Sequence, residues 1–320
     1  GSEMCIRDRS VNVMQKNLVH IPYANRDHVI GSVLNATFSV IGQTNLTDGA
    51  TIWDYSKAQF LHPFFIAPLG IYRDSCGNVI EEANVPNAIR GYLDATRVNS
   101  PICLDEGSDI EAILAPYKYK TYTPLCKFSI GYSRIDPMQT AMQNVIRTQI
   151  ERRVRLDIKM QTAISYLLGE LVCNIQEHSK ASFGYLYTQY LPSENTLYVA
   201  IGDNGLTIYG SYLHSKREDY LEAIGQSEAA AIRLSTEGKS TKPYAPELRG
   251  YGISTNSEMI AKGLGGAFFI LSGGAFHRRD AKSSDFANLP PSIHWDGTLI
   301  LVKIPLNQRP DFDVYKYIVH

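Results

Sequence analysis

The chain has 320 residues, 44% hydrophobic and 20% charged, the balance of an ordinary globular protein with material for two domains. Lys and Arg total 31 against 32 Asp and Glu, so no basic surplus points to nucleic acid or an anionic membrane as the main partner. No apolar run in the sequence approaches the roughly 18 residues that crossing a bilayer takes.

The five cysteines, Cys5, Cys76, Cys103, Cys126 and Cys173, are scattered with no CxxC pair, which suits reduced thiols in a cytoplasm. The opening "GSEMCIRDRS" lacks the apolar core of a secretory signal. Gly1-Ser2 reads as a cloning remnant, and residues 1–10 as an expression and adapter scar outside the fold.

Residues 11–130 alternate between strand and helix patterns, which predicts an α/β layer domain. "ATIWDYS" has the alternation of a strand, and "HPFFIAPLGIYRDSC" reads as an apolar helix with Pro63 in its first turn. "CGNVIEEANV" enters a second strand through a Gly-Asn turn, and "NAIRGYLDATRV" reads as an amphipathic helix with Asn87 as N-cap. "YTPLCKFSIG" closes this unit as a strand. A helical connector is expected over 131–155, opened by Asp136 and Pro137.

The helix "MQTAISYLLGELVCNIQEHS" follows, and it carries Glu170, Asn174 and His178 at every fourth position, so the three share one face. "FGYLYTQYL" and "TLYVAIGD" alternate like neighbouring strands joined by the turn "PSEN". Residues 209–234 read as helical, and 235–252, "STEGKSTKPYAPELRGYG", as a lid-length loop poor in core material. "STNSEMIAKGLG" is a glycine-closed helix, "GAFFILSG" and "GTLILVKIP" are the last strands, and 307–320 is a tail.

Four pieces carry chemistry: the Glu170/Asn174/His178 row, Asp203-Asn204-Gly205 at a strand end, Gly250-Tyr251-Gly252-Ile253 before a helix, and Gly297-Thr298 opening the final strand. Alone, a DNG tripeptide is a turn and a GxG a tight connection. In this order they resemble the N, G1 and G2 boxes of the GHKL (Bergerat-fold) ATPase and kinase superfamily, over about 156–306, most nearly its anti-sigma-factor kinases and histidine-kinase-like ATPases. The resemblance implies an α/β sandwich, a mixed sheet with helices on one face, holding ATP and Mg²⁺. Asn174 would ligate the metal, since Mg²⁺ typically takes one or two protein ligands beside water and phosphate. Glu170 matches the general base. His178 is either a phosphate contact or a helix-end histidine favoured by the dipole.

By the same resemblance Asp203 accepts a hydrogen bond from the adenine amino group, Gly205 lets backbone approach the base, and Thr298 braces that aspartate. Gly250, Gly252 and Ile253 would face phosphates with helix N-terminal amides. Lys239, Ser240 and Thr241, with Lys242, are lid contacts or simply a solvated lysine pair. The family's second G1 glycine is Thr207 here.

"IWDYSKAQFLHPFFIAPLGIY" and "YLDATRV" resemble a STAS-type domain, with His62, Pro63 and Phe64 where phosphorylatable antagonists begin a helix with serine. The expectation is therefore a STAS-like α/β domain followed by a GHKL domain. Its expected partners are ATP and a regulatory protein, with neither nucleic acid nor membrane and a homodimer left open. ATP hydrolysis, phosphoryl transfer to a partner Ser or Thr, and an ATP-gated switch without turnover all remain compatible with these residues.

Overall fold

The structure, a computed structural model, describes residues 16–23, 30–46, 49–131, 135–241 and 252–318. Strand–helix alternation at the start gives β1 (Asn17–His20), α1 (Ile30–Asn45), β2 (Thr51–Asp54), α2 (Pro63–Ser75) and β3 (Ile80–Ala83). The three strands pair in parallel in the order β1-β2-β3.

His62 caps α2, its Nδ1 accepting from the Phe64 N–H at 3.0 Å, and Pro63 takes the first turn, where no amide partner is needed. Pro68 within the helix leaves the Phe64 carbonyl without its usual partner, and the Thr37 hydroxyl from α1 reaches that carbonyl at 3.2 Å. All residues from Pro63 to Tyr72 are buried, the pattern of a helix covered on every side.

Next come α3 (Asn87–Thr96), β4 (Ile102–Leu104), α4 (Ile110–Leu114) and β5 (Cys126–Ser129). Asn87 is not the cap of α3: Pro86 holds that position without a side-chain bond, and Asn87 is the first helical residue. Then follow α5 (Ile135–Glu151), α6 (Ile158–His178), β6 (Phe183–Leu191) and β7 (Thr196–Asp203). Residues 209–234, read as one helical stretch, form three short helices: α7 (Ile208–Ser215), α8 (Glu218–Ile224) and α9 (Glu228–Thr236). After α10 (Gly252–Glu258) the helix widens into a π-helical turn over Met259–Gly263. The remaining elements are β8 (Ala267–Gly273), β9 (Ala275–Asp280), β10 (Ser284–Asn288), β11 (Trp295–Pro305) and α11 (Tyr315–Ile318).

The large sheet has eight strands in the order β10-β9-β8-β11-β7-β6-β5-β4, antiparallel except for the β4–β5 pair. Cys126–Ser129, read from sequence with the N-terminal unit, thus pairs with β6. The central strands alternate between two cores. Leu186, Val199, Ile201, Ile270 and Val302 face α5, α6 and the π-helical turn. Tyr185, Tyr187, Tyr198, Phe269 and Leu301 face α1, α2 and α3. A strand buried on both sides is rich in apolar residues on both faces, as these are.

The fold is mixed α/β, with elements on both faces of the large sheet rather than one. The expected connector helix is a core element, burying Met138, Met142, Val145, Ile146 and Ile150. The expected tail also packs inward, with Phe312 and Val314 buried. The β9–β10 hairpin was not anticipated. The four cysteines among the described residues are free thiols, and burial pushes the Cys126 thiol up to about 12. Among the described residues no helix is long and apolar enough to cross a membrane.

Candidate functional site

Helix α6 starts where Asp157 accepts from the Met160 N–H at 2.8 Å and is anchored by Leu167, Leu168, Leu171 and Val172 in the core. That anchoring turns its polar row sideways. Glu170, Asn174 and His178 are half-buried along the wall of a cavity of about 860 Å³, counting its open mouth. Strands β7 and β11 supply the floor through Ile201, Gly202, Asp203, Thr298 and Ile300.

Asp203 ends β7 and is only 3% exposed. Burial pushes its carboxyl up to about 7, against the opposing pull of the Gly205 and Thr298 backbone N–H groups. The Gly205 amide donates to Oδ1 at 2.9 Å, and the Trp295 indole donates to the Asp203 carbonyl at 3.3 Å. Gly297 turns beside this carboxylate at φ +91, and a Cβ there would lie 2.5 Å from Asp203 Oδ1, so only glycine fits.

Gly205 does not line the cavity. A Cβ on it would strike the Ser179 carbonyl and come within 2.6 Å of the Ala181 nitrogen, so its smallness serves the approach to the end of α6. Thr207 caps α7 by accepting from the Gly210 N–H at 2.9 Å.

The mouth is closed on one side by α7 and the residues after α9. His178 Nδ1 lies 2.9 Å from Thr241 Oγ1, which lies 3.2 Å from Ser211 Oγ, a polar chain joining three elements. The Tyr212 hydroxyl donates to the Lys239 carbonyl at 2.5 Å. Lys239, Ser240 and Thr241 all line the cavity, with Ser240 buried and Lys239 exposed. Gly252 and Ile253 line it too, and a Cβ on Gly252 would be 2.6 Å from Glu170 Oε2. Gly250 and Lys242 lie outside the described residues.

So Glu170, Asn174, His178, Asp203, Lys239, Ser240, Thr241, Gly252, Ile253 and Thr298, from five separate stretches of chain, meet at one cavity. The buried Asn174 Nδ2 has no hydrogen-bond partner among the described residues, which leaves an amide aimed into the site with bonding capacity to give. Because an amide can present either end, that capacity suits a ligand acceptor or, flipped, a cation. Sequence reasoning missed Ser211 and Tyr212, whose helix carried no distinguishing pattern, and Ser272 and Trp295, which act from behind the floor. The only outward sign of Ser272 was a small polar residue ending an apolar strand.

Comparison of the chain with family models, curated proteins and solved structures returned no match.

Proposed function

We propose that this cavity binds ATP with Mg²⁺ and that the protein turns the nucleotide over, by hydrolysis or by phosphoryl transfer to a Ser or Thr of a partner protein. The observation that carries the reading is the convergence on one cavity of residues matched, box by box, to the GHKL superfamily. The eight-stranded sheet with α5 and α6 on one face is taken as the superfamily's sandwich, and the α1–α3 layer as a STAS-like docking unit.

Asp203 gives the floor a buried acceptor suited to an exocyclic amine. Asn174 is the residue that would hold the metal. Among the described residues no group of three His, Cys, Asp or Glu side chains forms a cage, so such a cation would draw its other ligands from water and phosphate. Bound there, the metal would neutralise phosphate charge. Glu170, one turn before Asn174, would orient and deprotonate the attacking water or hydroxyl. His62 is buried, caps α2 and meets the Tyr198 ring edge-on at 4.7 Å, which argues against a phosphoswitch at that position. A docking partner would instead meet the outer face of the small sheet, where Leu18 and His20 are exposed.

Competition of labelled ATP by unlabelled ATP and GTP, with and without Mg²⁺, tests the reading. ATP should compete and GTP should not, Asp203→Ala should lose adenine recognition, and Asn174→Ala should lose the magnesium dependence. Equal competition by GTP would remove the adenine assignment. Binding without phosphate release, alone and with partners, would reduce the protein to an ATP-gated switch.

A further inference from the structure

Behind the cavity floor, Ser272 on β8 stands opposite Thr298 on β11, 1% exposed and touching no part of the cavity itself. Its hydroxyl has three polar neighbours. The Ile208 N–H donates to it at 2.8 Å, the Gly297 carbonyl lies at 2.9 Å, and Thr298 Oγ1 at 3.1 Å. A serine hydroxyl has one proton and two lone pairs. The Gly297 carbonyl can only accept, so the Ser272 proton goes there. No proton remains for Thr298, and the third contact is a hydrogen bond only if Thr298 donates.

The direction of that bond fixes what Thr298 shows the cavity. Its single proton is committed to Ser272, so where Thr298 lines the cavity its hydroxyl has only lone pairs left to offer. Beside it Asp203, when ionised, also accepts only, with the Gly205 amide already on Oδ1.

We infer that Ser272 is a specificity-determining positioning residue: by taking the Thr298 hydroxyl proton it makes the floor acceptor-only whenever Asp203 is ionised. The site then selects a base presenting N–H donors there, as a 6-aminopurine does, and rejects a keto oxygen in the same place. This inference rests on the nucleotide reading of the cavity and adds a residue that does not touch the ligand. A keto group set against two acceptors is left unpaired, and polar sites reject such mismatches far more strongly than apolar ones do.

The test is a titration above about pH 8, where Asp203 is ionised, with ATP and with inosine triphosphate, which carries a keto oxygen in place of the adenine amino group, each with Mg²⁺. Wild type should prefer ATP by roughly 10²-fold or more. Ser272→Ala frees the Thr298 proton to turn into the cavity, and the preference should fall about tenfold, chiefly through tighter inosine triphosphate binding. Thr298→Val leaves the Ser272 bonds to Ile208 and Gly297 in place. It should also lower the preference, and adding Ser272→Ala to it should change the ratio no further. Thr298→Ser, which keeps the hydroxyl, should retain the wild-type ratio.

An unchanged ratio in folded Ser272→Ala overturns the inference. So does a fall of equal size in the Thr298→Val background, which would mark a merely structural role. Should Ser272→Ala fail to fold, the Thr298→Val and Thr298→Ser pair decides, and equal ratios in the two overturn the inference. Wild type binding neither triphosphate would defeat the nucleotide reading itself, whereas equal binding of both would leave nucleotide binding standing and defeat this inference together with the adenine assignment of Asp203.

Discussion

Replacing Asp203 with Asn should stabilise the ligand-free protein, and by an amount that grows with pH. The carboxyl is held at about 7 in the fold against an ordinary 3.8, because its ionised form is buried. Over that window the folded state holds a proton that the unfolded chain has released, so stability falls as pH rises from about 3.8 to about 7. At roughly 1.4 kcal/mol per pH unit, the full cost of ionising Asp203 in place is about 4 kcal/mol, reached above about pH 7. From about pH 5 to about pH 8 the wild type should lose roughly 2.5 kcal/mol through this one group. The Asn variant does not ionise, and its amide oxygen can still accept from the Gly205 N–H. Urea denaturation of both proteins across that pH range measures the difference directly, and the gap should widen with pH. Parallel pH profiles would refute the account, because a carboxylate ionised without penalty is not desolvated by the fold.

Glu170→Gln should leave ATP binding within about twofold while slowing phosphate release by roughly 10²-fold, and wild-type turnover would show that Glu170 is not the base. Gly252→Ala should fold normally yet slow turnover, because its Cβ meets the movable Glu170 Oε2 at 2.6 Å; an unchanged rate would mean Glu170 tolerates displacement. Gly205→Ala meets fixed backbone of Ser179 and Ala181 instead, and should cost about 1–3 kcal/mol in urea denaturation.

Much of the site was legible because it follows from short periods. The row of Glu170, Asn174 and His178 is set by helical spacing alone, and burial of Leu167 and Leu171 leaves that row nowhere to face but the cavity. Strands β6 and β7 were legible from their alternation and turn, β8 and β11 from short apolar segments, and burial on both faces supplies the apolar content of all four. The β9–β10 hairpin was not, since "AFHRRD" and "SDFAN" lie toward the sheet edge and are largely polar. The pairing of β5 with β6 joins segments separated by two helices, which no local pattern reports. Asp203 was visible as a residue type, but its raised pKa depends on strands and loops closing around it. The role inferred for Ser272 depends on a proton count across three neighbours drawn from two other stretches of chain.

The place of β5 in the large sheet bears on how the molecule can be cut. A fragment beginning near residue 156 would keep every cavity-lining residue yet forfeit the partner of β6, baring the backbone N–H and C=O groups of its edge. It would also uncover Tyr185, Tyr187, Tyr198 and Phe269, which the α1–α3 layer shields from water. An open edge beside an apolar face is a template for strand addition between chains. The half that carries the cavity therefore leans on the N-terminal half to cover its edge and apolar face, and trimming toward the cavity should yield aggregate in place of a smaller folded protein.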